Sequence, residues 1–395
     1  MRTPWRKLYI LSAAGALSWL GSALTTFAVL LRDKDQIGPA GISMYLLAFG
    51  LPSIFMAPIS GLIADKFSSR QVILPALFIM GASSMTLALG FPLWWTSIAL
   101  LITACAGTFV GPAFQAAQVS VTDPADVPRV SGLMQSVSSA GTLFAPGLGG
   151  ILVSTTGYFW PFIIDAFSFW TLAIVFLAVG INRKPVEHVE GEKPKALDGL
   201  KFVFSDQLIR SLVLLMGVLI LALGAINVGE VFLVQDELHA DAFIYGIVGM
   251  AFASGSIIGA AITAAIKLPT NRHALAVLVG IGMLIVTVFL MSIAWHWWVA
   301  IVLSFVAGFG NSLLNAYAIG IIMTRAPSES LGRVNAAIGA VIQSGSVISI
   351  VASGQLIAFL GVRPVLMVGA LLSAVILAIF GPAVMRAGRE HQPAQ

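Results

Sequence analysis

Two carboxylic acids lie inside long apolar stretches of this 395-residue chain: Asp165 within residues 158–180 and Glu230 within residues 208–234. Ionisable groups in apolar surroundings are costly, and they mark proton relays, ion pathways or ligand counter-ions. A carboxyl group that alternates between an apolar and a wet setting binds and releases a proton, as proton antiport requires. We therefore predict that both acids are proton-coupling candidates.

Each acid also has a structural alternative. Asp165 would instead be a buried acceptor, bonded to backbone or hydroxyl groups. Glu230 would instead be an exposed residue at an outer opening, beside Asp236 and Glu237.

The elements that must position these acids follow from the composition. The chain is 58% hydrophobic and 10% charged, with a mean hydropathy of +0.97. Soluble domains carry about 25% charged residues, so a soluble enzyme, a disordered chain and a nucleic-acid module are excluded. Apolar runs of about 20 residues predict membrane-spanning helices, because lipid offers no partners to backbone polar groups. Twelve such runs occur: 8–31, 41–63, 71–90, 93–116, 130–154, 158–180, 208–234, 243–266, 273–293, 297–321, 334–358 and 364–385.

We predict an all-α integral membrane protein of twelve transmembrane helices in two pseudo-symmetric six-helix halves. The halves are residues 1–181 and 208–395, and the charged, proline-containing segment 182–207 is a cytoplasmic linker. Five residue identities recur at an offset of 204, which favours an internal duplication. The first members of these pairs are Arg129, Val130, Gly141, Gly150 and Gly157.

Basic residues predict the orientation. With the N-terminus in the cytoplasm, 18 of the 21 Lys and Arg residues fall on the inner side, and the formal net charge is +4. This bias predicts a multi-pass protein of the cell membrane with both termini cytoplasmic. Cys105 is the only cysteine, and no paired-His zinc motif or phosphate-binding loop occurs, so we expect no metal, no cofactor and no enzymatic activity.

The connection between the second and third spans carries a charged pattern that favours a conformational gate. Its residues are Gly61, Asp65, Lys66 and Arg70. They resemble the cytoplasmic loop signature of the major facilitator superfamily, although Ser68 and Ser69 depart from it. Asp65 would cap the next helix or pair with a basic residue in one conformation. The alternative is a solvated turn that obeys the positive-inside rule.

The fifth span carries a small-residue pattern that permits close helix contact and a proline bend. Its residues are Gly132, Gly141, Ala145, Pro146, Gly149 and Gly150. The pattern is similar to the motif of the drug/proton antiporter branch of that superfamily, and residues 111–165 resemble enterobactin exporters and macrolide efflux proteins. This resemblance implies alternating access about a midplane site. It also implies that the first, fourth, seventh and tenth spans line a cavity, which favours Glu230 over Asp165.

Polar residues on the predicted cavity helices form a further candidate set: Thr25, Gln115, Asn311, Asn315, Tyr317 and Gln343. An apolar cavity with a few amides suits an amphipathic organic molecule. The alternative is that these side chains join helices by hydrogen bonds.

From these features we predict proton-coupled efflux of amphipathic, drug-like or siderophore-like compounds. The rivals are an importer or lysophospholipid carrier on the same fold, and a non-transporting membrane sensor or assembly protein. The expected partners are a small organic substrate, protons and the lipid bilayer, without nucleic acid, and we expect a monomer.

Overall fold

The computed structural model describes residues 3–183, 207–266, 268–325 and 331–389, and within them every regular element is helical. Helix α1 runs from Trp5 to Lys66 and is interrupted only at Gly38, whose φ of 61° turns the chain. The sequence predicted two spans here, separated at residues 32–35. The break falls inside the predicted gap between residues 31 and 41, but it lies at Gly38, because glycine adopts a positive φ without steric cost, whereas residues 32–35 are helical.

Four further helices complete the first half of the chain. They are α2 (Ser69–Ala88), α3 (Leu93–Val119), α4 (Val127–Thr156) and α5 (Phe159–Val179). Ser68 begins α2 through a capping box with Gln71, in which each side chain meets the other residue's backbone. Gly157, with a φ of 77°, makes the sharp turn between α4 and α5.

The second half has seven helices and one π-helical turn. They are α6 (Gln207–Leu223), α7 (Ala225–Phe232), α8 (Ala242–Ala265), α9 (His273–Ser292), α10 (Trp297–Arg325), α11 (Leu331–Leu360) and α12 (Val362–Arg389), with the π turn at Leu233–Glu237. Nine helices of the described residues are long and apolar enough to cross a membrane. Taking the two arms of α1 as two spans, and α6 with α7 as one, gives the predicted twelve.

The helix bounds repeat along the chain. Both ends of α2 and α9 differ by 204 residues, and so do both ends of α4 and α11. The sharp glycine turns at Gly157 and Gly361 share this offset, with φ of 77° and 83°. The offset of 204 that relates identical residues therefore also relates the helix boundaries of the two halves.

Contacts divide the chain into two compact units. Unit 1 comprises Met1–Ile37, Met44–Gly191 and Asp241–Gly246, and unit 2 comprises Gly38–Ser43, Glu192–Ala240 and Ile247–Gln395. In unit 1 a buried apolar core joins α2 and α5 through residues such as Leu77 and Phe169. In unit 2 the corresponding core joins α9 and α10 through residues such as Val277 and Leu314.

A cluster of hydrogen bonds around the partly buried Arg32, which we call the first brace, joins three helices of unit 1. The Arg32 guanidinium donates to both carboxylate oxygens of Asp33 at 2.6 and 3.1 Å. It also donates to the Leu87 carbonyl at the end of α2 and to the Thr96 hydroxyl of α3, at 3.1 and 2.9 Å. The Tyr45 hydroxyl donates to Asp33, which is only 1% exposed. These partners explain why charged residues continue α1 where a polar loop was expected.

Unit 2 has a second brace at the same register. Glu237 occupies the position that corresponds to Asp33 at the offset of 204, and it accepts a hydrogen bond of 2.9 Å from Arg363. Arg363 also donates to the carbonyls of Ser292 and Ala294 at the end of α9. In both units an arginine thus links an acid at the end of the first span to the carboxyl end of the third span, which is α2 in unit 1 and α9 in unit 2.

Candidate functional site

A cavity of about 690 Å³ lies within unit 1, between α1, α2, α3, α4 and α5. Among the side chains that the structure describes, the hydroxyl groups of its wall come from α1: Ser12, Ser18, Ser22 and Thr26. Its remaining walls are apolar and include Trp19, Phe27, Phe114 and Phe169. Ligand cavities of drug size have volumes of about 300–1,000 Å³ and mainly apolar walls with a few polar groups, and this cavity fits that description.

The glycines of the fifth-span pattern give the cavity its shape. A methyl group placed on Gly141 would lie 2.7 Å from the Trp19 ring, and one placed on Gly149 would lie 2.9 Å from the Phe27 ring. Ala145 and Pro146 themselves line the cavity. Small residues on α4 therefore make room for the two aromatic side chains of α1.

The end of the same pattern makes a close backbone contact. A methyl group on Gly150 would lie 2.7 Å from the carbonyl oxygen of Ala242 and 3.3 Å from the Cα of Gly246. A methyl group on Gly246 would in turn overlap the Pro146 carbonyl. A methyl group on Gly132, by contrast, would meet no atom of another residue within 4 Å. Within the small-residue pattern, Gly141 and Gly149 thus make room for aromatic rings and Gly150 permits a close backbone contact, whereas no neighbouring atom restricts Gly132.

Asp165 lies in α5, is 1% exposed, and is connected to the cavity through a hydroxyl group. Ser84 of α2 donates to its Oδ2 at 2.9 Å, and Ser22 of α1 donates to its Oδ1 at 3.3 Å. Ser22 also lines the cavity. Gly21 permits this approach of α1 to α5, since a methyl group there would lie 2.9 Å from the Asp165 Cα.

Both serines have a second acceptor within reach. The Ser22 hydroxyl lies 3.1 Å from the Ser18 carbonyl, and the Ser84 hydroxyl lies 3.2 Å from the Phe162 carbonyl. Each hydroxyl has one proton to donate, so it chooses between a helix carbonyl and the Asp165 carboxyl group. The carboxyl group can therefore change its charge without leaving either buried hydroxyl unpaired.

Glu230 lies in α7 and is partly exposed. Among the residues that the structure describes, no side chain pairs or hydrogen-bonds with its carboxyl group. Asp165 and Glu230 belong to different units, and their surroundings differ: hydroxyl donors surround the first, and the second has no partner in the described part of the chain.

The other predicted cavity residues are placed in several ways. Thr25 is buried, with its hydroxyl directed at the Asp165 carboxyl group, and it is not part of the cavity wall. Gln115 is exposed, and Gln343 is partly exposed. Tyr317 lies in the core of unit 2, with its ring tilted against that of His273 at a centroid distance of 5.1 Å. The Asn315 amide nitrogen donates to the Asn311 carbonyl and side-chain oxygens, at 2.8 and 3.1 Å.

The predicted gating loop is described in part. The surroundings of Gly61 and of the Asp65 side chain lie outside what the structure describes, and the helix cap that Asp65 was expected to form is provided by Ser68. The Arg70 backbone N–H lies 3.4 Å from the Asn182 side-chain oxygen. Lys66 is exposed, with its ammonium 5.9 Å from the Phe67 ring.

Sequence reasoning did not find Ser84 or Trp19, which complete the site from α2 and α1. Neither residue type is unusual in a membrane helix, and only the packing of α1 on α2 and α5 brings them to the cavity. A usable signal was the serine spacing on α1, because Ser18 and Ser22 lie one turn apart on the helix face that meets Asp165.

Comparison with known proteins identifies relatives of this chain. The sequence model described as Major Facilitator Superfamily matches residues 11–266 and 224–394. Macrolide efflux protein A of Streptococcus pyogenes is 24% identical over 269 residues, which is 65% of each chain. Multidrug resistance protein 1 of Bacillus subtilis is 21% identical over 61% of this chain and 60% of its own. The matched regions thus span less than two thirds of these relatives.

Solved structures share the fold at low identity. The nucleoside transporter NupG superposes with a TM-score of 0.73 and 15% identity, over 95% of this chain and 98% of its own. A bacterial homolog of the human lysosomal transporter Spinster, solved in an inward-facing and unoccupied conformation, superposes with a TM-score of 0.70 and 14% identity over both whole chains.

Proposed function

The chain belongs to the major facilitator superfamily, and from this premise we propose that it exports amphipathic organic compounds in exchange for protons. The observation that carries the proposal is the joint presence of an apolar cavity and a buried carboxyl group that reaches it through Ser22. The multidrug and macrolide efflux relatives support export of drug-like compounds as the substrate class.

The cavity contributes binding of the apolar part of a substrate. Its walls carry aromatic rings and no Lys, Arg, Asp or Glu among the described residues, so a sugar phosphate or nucleotide would find no charged partner there. A drug-sized apolar body would gain roughly 25 cal/mol for each Å² that it buries. The α1 hydroxyls provide the few polar contacts that orient such a ligand.

Asp165 contributes the proton exchange. When it is ionised, Ser22 and Ser84 donate to it; when it is protonated, both hydroxyls return to their carbonyl acceptors. This rearrangement changes the polarity of the cavity wall at Ser22, so that proton binding and substrate binding influence each other. In this proposal Glu230 is a second proton-exchanging group, and the two units alternate access to the two sides of the membrane.

Reconstituted vesicles test the proposal. With purified protein in proteoliposomes, we expect a pH gradient to drive ethidium or macrolide transport, and we expect a protonophore to abolish it. Asp165→Asn should abolish gradient-driven transport while retaining exchange of labelled for unlabelled substrate, because exchange needs no net proton movement. Glu230→Gln should show the same separation.

A matched control makes these results specific. Asp35→Asn is the same chemical change at an exposed acid that pairs with Lys34, and it should behave like the unaltered protein. Full gradient-driven transport by Asp165→Asn or Glu230→Gln would contradict that residue's coupling role. Substrate movement in the opposite direction would support an importer, and no flux for any compound would support a non-transporting membrane protein.

A further inference from the structure

Unit 1 contains two buried aspartates that differ in what balances their charge. Asp33 and Asp165 are each 1% exposed. Asp33 has the Arg32 guanidinium as its counter-ion. Among the described residues, by contrast, no Lys, Arg or His side chain pairs with Asp165. Buried charges in proteins are paired or coordinate a metal ion, so an ionised Asp165 requires a cation that the described part of the chain does not supply.

Three hydroxyl groups from α1 and α2 surround the Asp165 carboxyl group. Ser84 Oγ lies 2.9 Å from its Oδ2, and Ser22 Oγ lies 3.3 Å from its Oδ1. Thr25, which is 5% exposed, lies three residues after Ser22 on α1, and its hydroxyl is directed at the same carboxyl group. It nevertheless does not reach hydrogen-bond geometry with any described acceptor. We call these four residues the oxygen cluster, and its carboxylate alone does not satisfy all three hydroxyls.

Both serines of the oxygen cluster can turn their oxygen lone pairs toward a cation. The Ser22 proton has the Ser18 carbonyl as a second acceptor at 3.1 Å, and the Ser84 proton has the Phe162 carbonyl at 3.2 Å. A hydroxyl that donates to a helix carbonyl presents its lone pairs to the carboxylate. Because lone pairs on both sides repel one another, this arrangement is stable when a proton or a metal cation lies between them.

The distances and the charge of the oxygen cluster suit Na⁺. Oxygen ligands lie about 2.4 Å from Ca²⁺, so two ligands at a right angle are about 3.4 Å apart, and Na⁺ has nearly the same radius. The observed separations of 2.9 and 3.3 Å are close to this spacing, whereas the larger K⁺ needs oxygens farther apart. A divalent ion would leave a buried charge that a single carboxylate does not neutralise.

We propose that the oxygen cluster binds a sodium ion through the Asp165 carboxylate and the three hydroxyl oxygens. The ion enters from the cavity, because Ser22 belongs both to the cavity wall and to the cluster. Water on the cavity side completes its coordination. This inference goes beyond the proposed function, because it gives Asp165 a second cation, which binds in place of the proton.

Binding of radioactive sodium to the purified full chain tests the proposal, with choline chloride keeping the ionic strength constant. We expect saturable binding that K⁺ does not displace and that Asp165→Asn abolishes. Thr25→Val keeps the side-chain shape and removes the hydroxyl, so it should weaken sodium binding about three- to tenfold, whereas Thr25→Ser should retain it. Ser84→Ala should weaken binding to a similar extent.

Ser83→Ala is the matched control for Ser84→Ala. The Ser83 hydroxyl is also buried in α2, but it donates to the Ala99 carbonyl at 2.8 Å, so sodium affinity should be unchanged. Thermal unfolding gives a second measurement: Na⁺ at ten times its dissociation constant should raise Tm by about 3–6 °C over choline, and K⁺ should not. Tm in choline also shows whether each variant is folded.

Three results would overturn the proposal: no saturable sodium binding, equal stabilisation by Na⁺ and K⁺, or equal sodium affinity of Thr25→Val and Thr25→Ser. Vesicle transport separates these results from the proposed function. Sodium binding without proton-driven transport supports the oxygen cluster and contradicts proton-coupled export. Proton-driven transport in choline medium, by a protein that binds no sodium, supports export and contradicts the sodium site.

Discussion

The two arginine braces differ in burial, and this difference predicts unequal effects on stability. Arg32→Ala removes four donated hydrogen bonds and leaves the Asp33 carboxylate, 1% exposed, with the Tyr45 hydroxyl as its one side-chain donor in the described part of the chain. Removing one partner of a buried ion pair costs about 3–5 kcal/mol, because the remaining charge has lost its water and its partner. The Arg363–Glu237 pair is 30% and 43% exposed, so Arg363→Ala should cost about 1 kcal/mol or less.

Thermal unfolding in detergent measures the difference. Since 1 kcal/mol shifts Tm by roughly 2–4 °C for units of this size, Arg32→Ala should lower Tm by about 6–20 °C and Arg363→Ala by about 4 °C or less. The double variant Arg32→Met/Asp33→Leu should recover most of the loss, because it leaves no unpaired charge. Equal shifts for the two arginine variants, or a double variant no more stable than Arg32→Ala, would refute the reasoning from burial.

Two further predictions concern unit packing and a charged cap. Gly150→Ala and Gly354→Ala should each lower the free energy of unfolding by about 1–3 kcal/mol. The added methyl group would lie 2.7 Å from the Ala242 carbonyl oxygen in the first variant and 2.8 Å from the Pro39 carbonyl oxygen in the second. Gly132→Ala, with no atom of another residue within 4 Å, is the control, and equal Tm values for all three variants would contradict the packing argument. The Ala125 backbone N–H donates to the Asp123 carboxylate, and this hydrogen bond holds the Asp123 pKa below its ordinary value of 3.8. The stabilisation from this hydrogen bond is therefore present above the lowered pKa and is lost as the pH falls through it. An NMR titration of Asp123 should give a midpoint below 3.8 that Ala125→Pro raises, and an unchanged midpoint would rule out this cause.

The fold was predictable from the sequence because its determinants are periodic and local. Apolar runs long enough to cross lipid, separated by charged pieces, indicated twelve spans, and identical residues at one offset indicated the repeat. The expected loop at residues 32–35 was wrong for a physical reason. Charge usually marks a loop, but Arg32 and Asp33 satisfy one another and reach α2 and α3, so the helix continues to Gly38.

The candidate site was predictable only in part. Asp165 stood out because an acid in an apolar run is expensive, whereas Ser84 is an ordinary residue until the packing of α2 on α5 brings it to that acid. Thr25 and Tyr317 lie on the predicted helices, but neither is part of the cavity wall: the Thr25 hydroxyl is directed at Asp165, and Tyr317 lies in the core of unit 2. Which side of a helix faces a cavity depends on its neighbours, and a single sequence does not contain that information directly.

The braces also show how far the repeat relates the two halves of the chain. A duplication copies each residue into the same register, and the acids at positions 33 and 237 keep that register. The arginines do not: position 236 holds Asp, and position 159 holds Phe. The restraint is therefore supplied from different helices, by Arg32 of α1 in unit 1 and by Arg363 of α12 in unit 2. The two halves share the position of the acid and differ in the source of its cation, so a substitution designed for one brace cannot be transferred to the other by the repeat offset alone.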